Sequence, residues 1–211
     1  MNRDELMLDF GCGDGGFDEI LPDRISCGSW LSLFGGENAV GLDIEPTEIE
    51  RAKKNIKNGT KFIVTDGGRL PFDDGHFSTV HIFGTLHHTA GYQPALAELA
   101  RVTRQGGAIR ITESVDNYFF FKVARRLLGQ WQGHKITDYF TALQLVSEIE
   151  KYFEIETIKY CFRPVTADLL RLFGLEPHVS LKLLNTISEK LQFYGYGELF
   201  CSQVYIYGLK R

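Results

Sequence analysis

The sequence predicts a doubly wound α/β fold, and three observations carry that expectation. Its first half alternates short apolar runs with helix-period segments, the order of β-α-β units around a mostly parallel sheet. A glycine-rich turn, Gly11-Cys12-Gly13-Asp14-Gly15-Gly16, directly follows the first apolar run. Two later runs, 153–158 and 201–207, alternate apolar with polar positions, as antiparallel strands near a sheet edge do.

Leu6-Met7-Leu8-Asp9-Phe10 reads as the first strand, Ala39-Val40-Gly41-Leu42 as the second and Lys61-Phe62-Ile63-Val64 as the third. Thr79–Phe83 and Ala108–Thr112 supply the next two, and all five read as buried-strand types. Between the second and third strands, Thr47 and Glu50 have capping-box spacing, Ile49, Ala52 and Ile56 recur at helical spacing, and Gly59 lies beyond the end. A second crossover helix opens with Pro94, aligns Leu96, Leu99 and Ala100, carries Arg101 and Arg104 in its last turns and stops at Gly106-Gly107. Residues 117–151 and 164–193 read as helical inserts.

At 211 residues the chain suits one domain with an elaboration, and no repeat, low-complexity tract or linker argues for cutting it. Hydrophobic residues at 44% and charged residues at 24% are ordinary globular usage, which excludes a disordered or fibrous chain. No apolar run nears the roughly 20 residues that span a bilayer. The opening Met1-Asn2-Arg3-Asp4-Glu5 lacks the order of a signal peptide, so the expected location is cytoplasmic. Cys12, Cys27, Cys161 and Cys201 are scattered, with no zinc-like pair, and read as reduced, non-catalytic thiols. Residues 1–115 carry 11 basic and 17 acidic side chains, and residues 116–211 carry 12 and 10. Neither half has the basic excess of a nucleic-acid footprint.

The glycine turn removes side chains that would keep a ligand from the backbone, at the carboxyl edge of the sheet where α/β folds hold nucleotides. Gly11, Gly13 and Gly16 also satisfy G-x-G-x-x-G, so a dinucleotide oxidoreductase competes on this turn alone. Asp43, at the end of the second strand, suits a bidentate grip on ribose hydroxyls, or else a helix cap. Asp66, in Thr65-Asp66-Gly67-Gly68, suits an adenine amino group with the glycines admitting the ring, or else a plain Asp-Gly turn. Asp9 would repel a pyrophosphate and tolerate a cation.

These segments together resemble the class I S-adenosylmethionine-dependent methyltransferases, in particular the group holding quinone-biosynthesis methyltransferases, from about Leu6 to Glu113. Leu8–Gly15 resembles the family's first motif, Gly41-Leu42-Asp43-Ile44 its ribose-binding motif and Thr65-Asp66-Gly67 its adenine segment. Phe77–His88 is similar to the fourth-strand motif, and Leu99–Gly107 to the turn before the fifth strand. The resemblance implies a Rossmann-like, seven-stranded, mostly parallel sheet with an antiparallel last strand. It also implies that S-adenosylmethionine is held by Asp9, Gly11, Cys12 and Gly13 around its methionine part and by Asp43 at the ribose. Ile44 and Asp66, with Gly67, would meet the adenine, and Phe83 would close the pocket near the sulfonium. On this reading residues 1–211 form a single domain. Residues 1–115 are its cofactor-binding half, and 116–211 hold substrate-lid helices and antiparallel edge strands.

The first strand begins almost at Met1, where the family often has covering helices, and residues 17–38 are longer than its usual first crossover. Closure is therefore expected from the inserts at 117–151 and 164–193. Methyl transfer is an in-line displacement that asks the protein mainly to align reactants and exclude water, with no metal required. His87 and His88 are the candidate bases if the acceptor must lose a proton; otherwise they pack at the pocket mouth. The insert aromatics Tyr118–Phe121, Trp131, Tyr139 and Phe140, beside Lys122, Arg125 and Arg126, suit a small-molecule or lipid-like acceptor with at most peripheral membrane contact, or else core packing. A catalytically silent cofactor-binding module is the remaining alternative, and no feature specifies an oligomeric state.

Overall fold

The computed structural model describes residues 5–15, 31, 34–89, 91–116, 140–161, 190 and 203–211. Seven strands among them form one sheet: β1 Met7–Phe10, β2 Ala39–Asp43, β3 Lys61–Val64, β4 Phe77–Phe83, β5 Thr103–Ser114, β6 Phe153–Cys161 and β7 Gln203–Lys210. Their order is β3-β2-β1-β4-β5-β7-β6. Strands β1 to β5 pair in parallel, and β7 runs antiparallel to both β5 and β6. The sheet reverses strand order between β1 and β4, and at such a switch point the strand ends diverge to leave a crevice. The expected doubly wound, mostly parallel sheet is what the chain forms.

Both faces are covered, which is why the central strands read as continuous apolar runs. On one face Leu8, Phe10 and Ile82 pack with Leu96 and Leu99 of helix α2 (Tyr92–Val102) and with Leu145 and Ile149 of helix α3 (Ala142–Ile149). On the other, Met7, Cys12 and Ala39 pack with Ile49 and Ile56, at and just past helix α1 (Pro46–Asn55). Each buried leucine, isoleucine, phenylalanine or methionine among them stabilises the fold by roughly 1.5–3 kcal/mol relative to exposure. In β7 buried and half-buried positions alternate along Gln203–Lys210. Thr141 and Gln144 form a reciprocal capping box at the start of α3.

Four local expectations are corrected. The capping box at Thr47 and Glu50 does not form: α1 opens at Pro46 behind Glu45, with no side-chain cap, and Glu50 instead pairs with Lys53. Pro46 presets the first helical φ, and its missing N–H is one that a helix start leaves unpaired anyway. Helix α2 ends at Val102 rather than at Gly106-Gly107, where Thr103 turns extended and its hydroxyl bonds Leu99 O at 2.6 Å. Strand β5 therefore starts at Thr103, takes in Arg104 and both glycines, and outruns the expected Ala108–Thr112. Finally, β3 is not a buried strand; it lies at the sheet edge with Val64 46% exposed.

The helical expectations for 117–139 and, apart from the helical Lys190, for 164–193 lie outside the described residues, as do Gly16, the aromatics 118–139 and Cys27 and Cys201. Phe140 is buried against the Tyr92 ring, with centroids 4.6 Å apart, so this aromatic of the insert packs in the core. No helix among the described residues is long and apolar enough to cross a membrane.

Candidate active site

The turn after β1 crosses directly to β2, with the backbone N–H groups of Gly11 and Cys12 both donating to Leu42 O at 2.8 Å. Two of its glycines are needed for different reasons. A Cβ on Gly11 (φ +75°) would collide with the Thr85 side chain, so glycine there lets the loop after β4 close onto the turn. Gly13 (φ +57°) has nothing among the described residues within 4 Å of where a Cβ would stand. Cys12 is a buried thiol whose Sγ lies 3.6 Å from Gly13 O.

Asp43, at the end of β2, reaches back to this turn. Its Oδ2 accepts from Gly13 N at 2.9 Å and its Oδ1 from Glu45 N at 3.0 Å. A carboxylate has about four lone-pair sites, so two backbone donors leave acceptor capacity on both oxygens. Beside it Ile44 is 61% exposed, an apolar side chain with its surface uncovered. Asp66 stands at the same edge: Thr65 N donates to Asp43 O at 2.9 Å, and the exposed Asp66 Oδ1 accepts from Gly68 N at 3.0 Å. Gly67 (φ +76°) fits against the ring of Phe10.

Asp9 is sealed from solvent. Its Oδ1 lies 3.0 Å from His81 Nδ1, and Oδ2 has no hydrogen-bond partner among the described residues. Burial pushes its carboxyl above the usual range, and the His81 ring partly offsets this.

At the ends of β4 and β5 a second acid–imidazole pair forms. Phe83 is the last residue of β4, and its carbonyl accepts from the Thr85 hydroxyl at 3.1 Å. A short 3₁₀ turn, Leu86–His88, follows. The fully buried Glu113 accepts with Oε1 from Thr85 N and from Leu86 N, the latter at 2.8 Å, while its Oε2 lies 2.7 Å from His87 Nδ1. His88 is exposed, its ring centroid 4.0 Å from that of His87. Among the described residues no three ligating side chains converge on a metal position.

The structure thus gathers Gly11, Cys12, Gly13, Asp43, Ile44, Asp66 and Gly67 at the tips of β1, β2 and β3. Phe83, His87 and His88 stand at the tips of β4 and β5. Three residues that hold this arrangement, His81, Thr85 and Glu113, were not singled out from sequence. The signal for Glu113 was an acid at the carboxyl end of an otherwise apolar strand, the position Asp43 occupies on β2.

The sheet order and the site at its carboxyl edge define the Rossmann-like class I methyltransferase architecture. The chain matches, over residues 8–111, the family model described as methyltransferase domain. It is 33% identical over 168 residues to demethylmenaquinone methyltransferase of Lactococcus lactis, covering 74% of this chain and 63% of the relative. To sterol 24-C-methyltransferase of Pneumocystis carinii it is 32% identical over 108 residues, covering 49% of this chain and 26% of the relative. The first curated relatives are longer proteins, of which the chain spans 26% to 39%. A solved S-adenosylmethionine-dependent methyltransferase from Mesorhizobium loti shares the fold with a TM-score of 0.66 at 14% identity, over 98% of this chain and 90% of that one.

Proposed function

We propose that the chain is an S-adenosylmethionine-dependent methyltransferase acting on a small-molecule or lipid-like acceptor. The observation that carries this reading is the Gly13 N to Asp43 Oδ2 hydrogen bond of 2.9 Å, which joins a bare glycine turn to a ribose-type carboxylate at the mouth of one crevice. The residues present fit the cofactor. No described residue stands within 4 Å of a Cβ position on Gly13, acceptor capacity remains on Asp43, and Ile44 offers an uncovered apolar surface. The buried Asp9 oxygen without a described partner adds negative character beneath the turn, which suits a cation rather than a pyrophosphate.

In this assignment Gly11, Cys12 and Gly13, with Asp9 behind them, surround the methionine part. Asp43 holds the ribose hydroxyls, Ile44 packs on the adenine, Asp66 and Gly67 meet its amino edge, and Phe83 borders the sulfonium. The cofactor supplies a methyl carbon on a positive sulfur: the acceptor's electron pair forms the new bond to it while the carbon–sulfur pair returns to sulfur. The protein aligns that attack, keeps water out, and has His87 and His88 within the site to take a proton.

The lipid-like acceptor follows from relatives named for demethylmenaquinone and sterol substrates. We place acceptor binding in the 116–211 half, cofactor binding in the 1–115 half, and the reaction in the cytoplasm at most in peripheral contact with a membrane. Calorimetric titration tests the cofactor directly. Micromolar binding of S-adenosylhomocysteine with no NAD binding is expected, and the reverse pattern would replace this reading with an oxidoreductase.

A further inference from the structure

We infer that Asn55 is a positioning residue for the cofactor: from the end of α1 it latches the second half of the glycine turn and so shapes the pocket for the amino-acid part of the ligand. This deepens the methyltransferase reading and rests on it. The starting point is a bond between residues forty-one positions apart, in which Asn55, the last residue of α1, donates from Nδ2 to the backbone Asp14 O at 2.8 Å.

The place of that amide is fixed by its neighbours. Ala52 and Ile56 are buried, and Ile56 N donates to Ala52 O at 2.8 Å, which closes the last turn of α1 around Asn55. The glycine turn in its turn is built to lie against this end of the helix. Gly15 has φ +66°, and a Cβ there would stand 2.6 Å from Ile56 Cδ1 and 3.5 Å from the Ala52 Cα. Only glycine at that position brings the Asp14 carbonyl within reach of so short a side chain.

The other side of the turn is held from the start of the same helix. Gly13 N donates to Asp43 Oδ2, and the second oxygen of Asp43 takes the N–H of Glu45, the residue just before α1. One helix therefore grips two successive residues by opposite groups, the N–H of Gly13 and the carbonyl of Asp14. In a trans peptide the N–H points opposite to the C=O, so a carbonyl drawn to Asn55 turns the Gly15 N–H away from that side chain. Gly15 is buried, and no described residue accepts from its N–H, which leaves a backbone donor in need of an acceptor. The amino-acid part of S-adenosylmethionine brings a carboxylate of that kind, whereas its adenosine part is assigned to Asp43, Ile44 and Asp66.

Two probes separate a latch on the amino-acid end from a general defect: S-adenosylhomocysteine, and 5′-methylthioadenosine, which keeps the adenosine part and lacks the amino acid. Asn55 is exposed, so Asn55→Ala should fold as the wild type does. It is expected to weaken S-adenosylhomocysteine about threefold to tenfold in calorimetric titration, the range of one hydrogen bond, and to leave 5′-methylthioadenosine within about twofold. Asn55→Asp keeps the shape but faces the Asp14 carbonyl with a carboxylate that cannot donate, so it should lose more on the first probe and no more on the second. Hydrogen–deuterium exchange reads the latch with no ligand present: residues 11–15 should exchange faster in Asn55→Ala, with residues 77–83 unchanged. Equal losses on the two probes, or exchange over 11–15 at the wild-type rate, overturn the inference. Wild-type protein that fails to bind S-adenosylhomocysteine defeats the methyltransferase reading instead, and the exchange rates then judge the latch by themselves.

Discussion

The Asp43 carboxylate accepts from the backbone N–H of Gly13, thirty positions earlier in the chain, at 2.9 Å. This bond fixes the tip of β2 against the turn after β1 and so sets the shape of the crevice before any ligand enters. Asp43→Ala should therefore remove both the proposed ribose grip and the brace on Gly13. Loss of a hydrogen-bonded charged group costs about 1–3 kcal/mol, a fall in S-adenosylhomocysteine affinity of roughly fivefold to over a hundredfold. Asp43→Asn, which keeps an acceptor, should fall less. Calorimetric affinities equal to wild type in a correctly folded Asp43→Ala protein would remove the ribose assignment.

Gly11 and Gly13 separate folding from binding. Alanine at Gly11 meets both the left-handed backbone penalty and the Thr85 side chain, and a loss of about 2–4 kcal/mol in urea unfolding is expected. Thr85→Ala removes the hydroxyl and methyl that collide, so the double variant should recover part of that loss. At Gly13 only the backbone penalty of about 1–2 kcal/mol applies, because no described residue stands within 4 Å of the added Cβ. Its alanine instead projects into the proposed ligand space, so Gly13→Ala should weaken cofactor binding more than stability. Equal effects of the two alanines on both measurements would contradict this division.

What was legible in the chain follows from how local each feature is. Strands β2 and β3 are short apolar runs bounded by turn residues, and Lys61–Val64 was readable to the residue. The end of α2 was not, because Gly106-Gly107 has the look of a helix stop while the real stop is a Thr103 hydroxyl bonded to Leu99 O. The exposure of β3 was unreadable for another reason, since only the strand order puts Lys61–Val64 at an edge. In the site, the glycines and Asp43 lie in contiguous motifs. The Glu113–His87 pair spans twenty-six positions and exists only because β4 and β5 pair with Phe83 opposite Thr112. A single sequence does not print that register.

Arg101 offers a control away from the site. Its guanidinium donates to Glu98, Asp74, Leu70 O and Phe72 O, tying the segment before β4 to helix α2. The same contacts raise its own pKa above the usual arginine value and hold the Glu98 carboxyl below the carboxylate range. Lysine cannot serve a planar fork of five donors. Arg101→Lys should lose about 1–3 kcal/mol of stability while S-adenosylhomocysteine affinity stays at the wild-type value. A binding defect as large as the stability defect would show that the 70–74 segment reaches the pocket.

Asp9 makes the stability of the fold depend on pH in a direction opposite to most acids. Burial, the largest influence on it, raises its carboxyl above the value of 3.8 it has when exposed, and His81 only partly offsets that. Between the unfolded value and the raised folded one, the native state therefore binds more protons than the unfolded state. The stability this site contributes is fully present below 3.8 and is lost as the pH rises through the folded value. Asp9→Asn keeps a partner for His81 but cannot ionise, so it escapes the loss. Urea unfolding of the two proteins from below pH 3.8 upward should show Asp9→Asn gaining on wild type as the pH increases, with the gap levelling off once Asp9 is ionised. A gap that narrows with rising pH would mean that the His81 ring, rather than burial, governs this carboxylate.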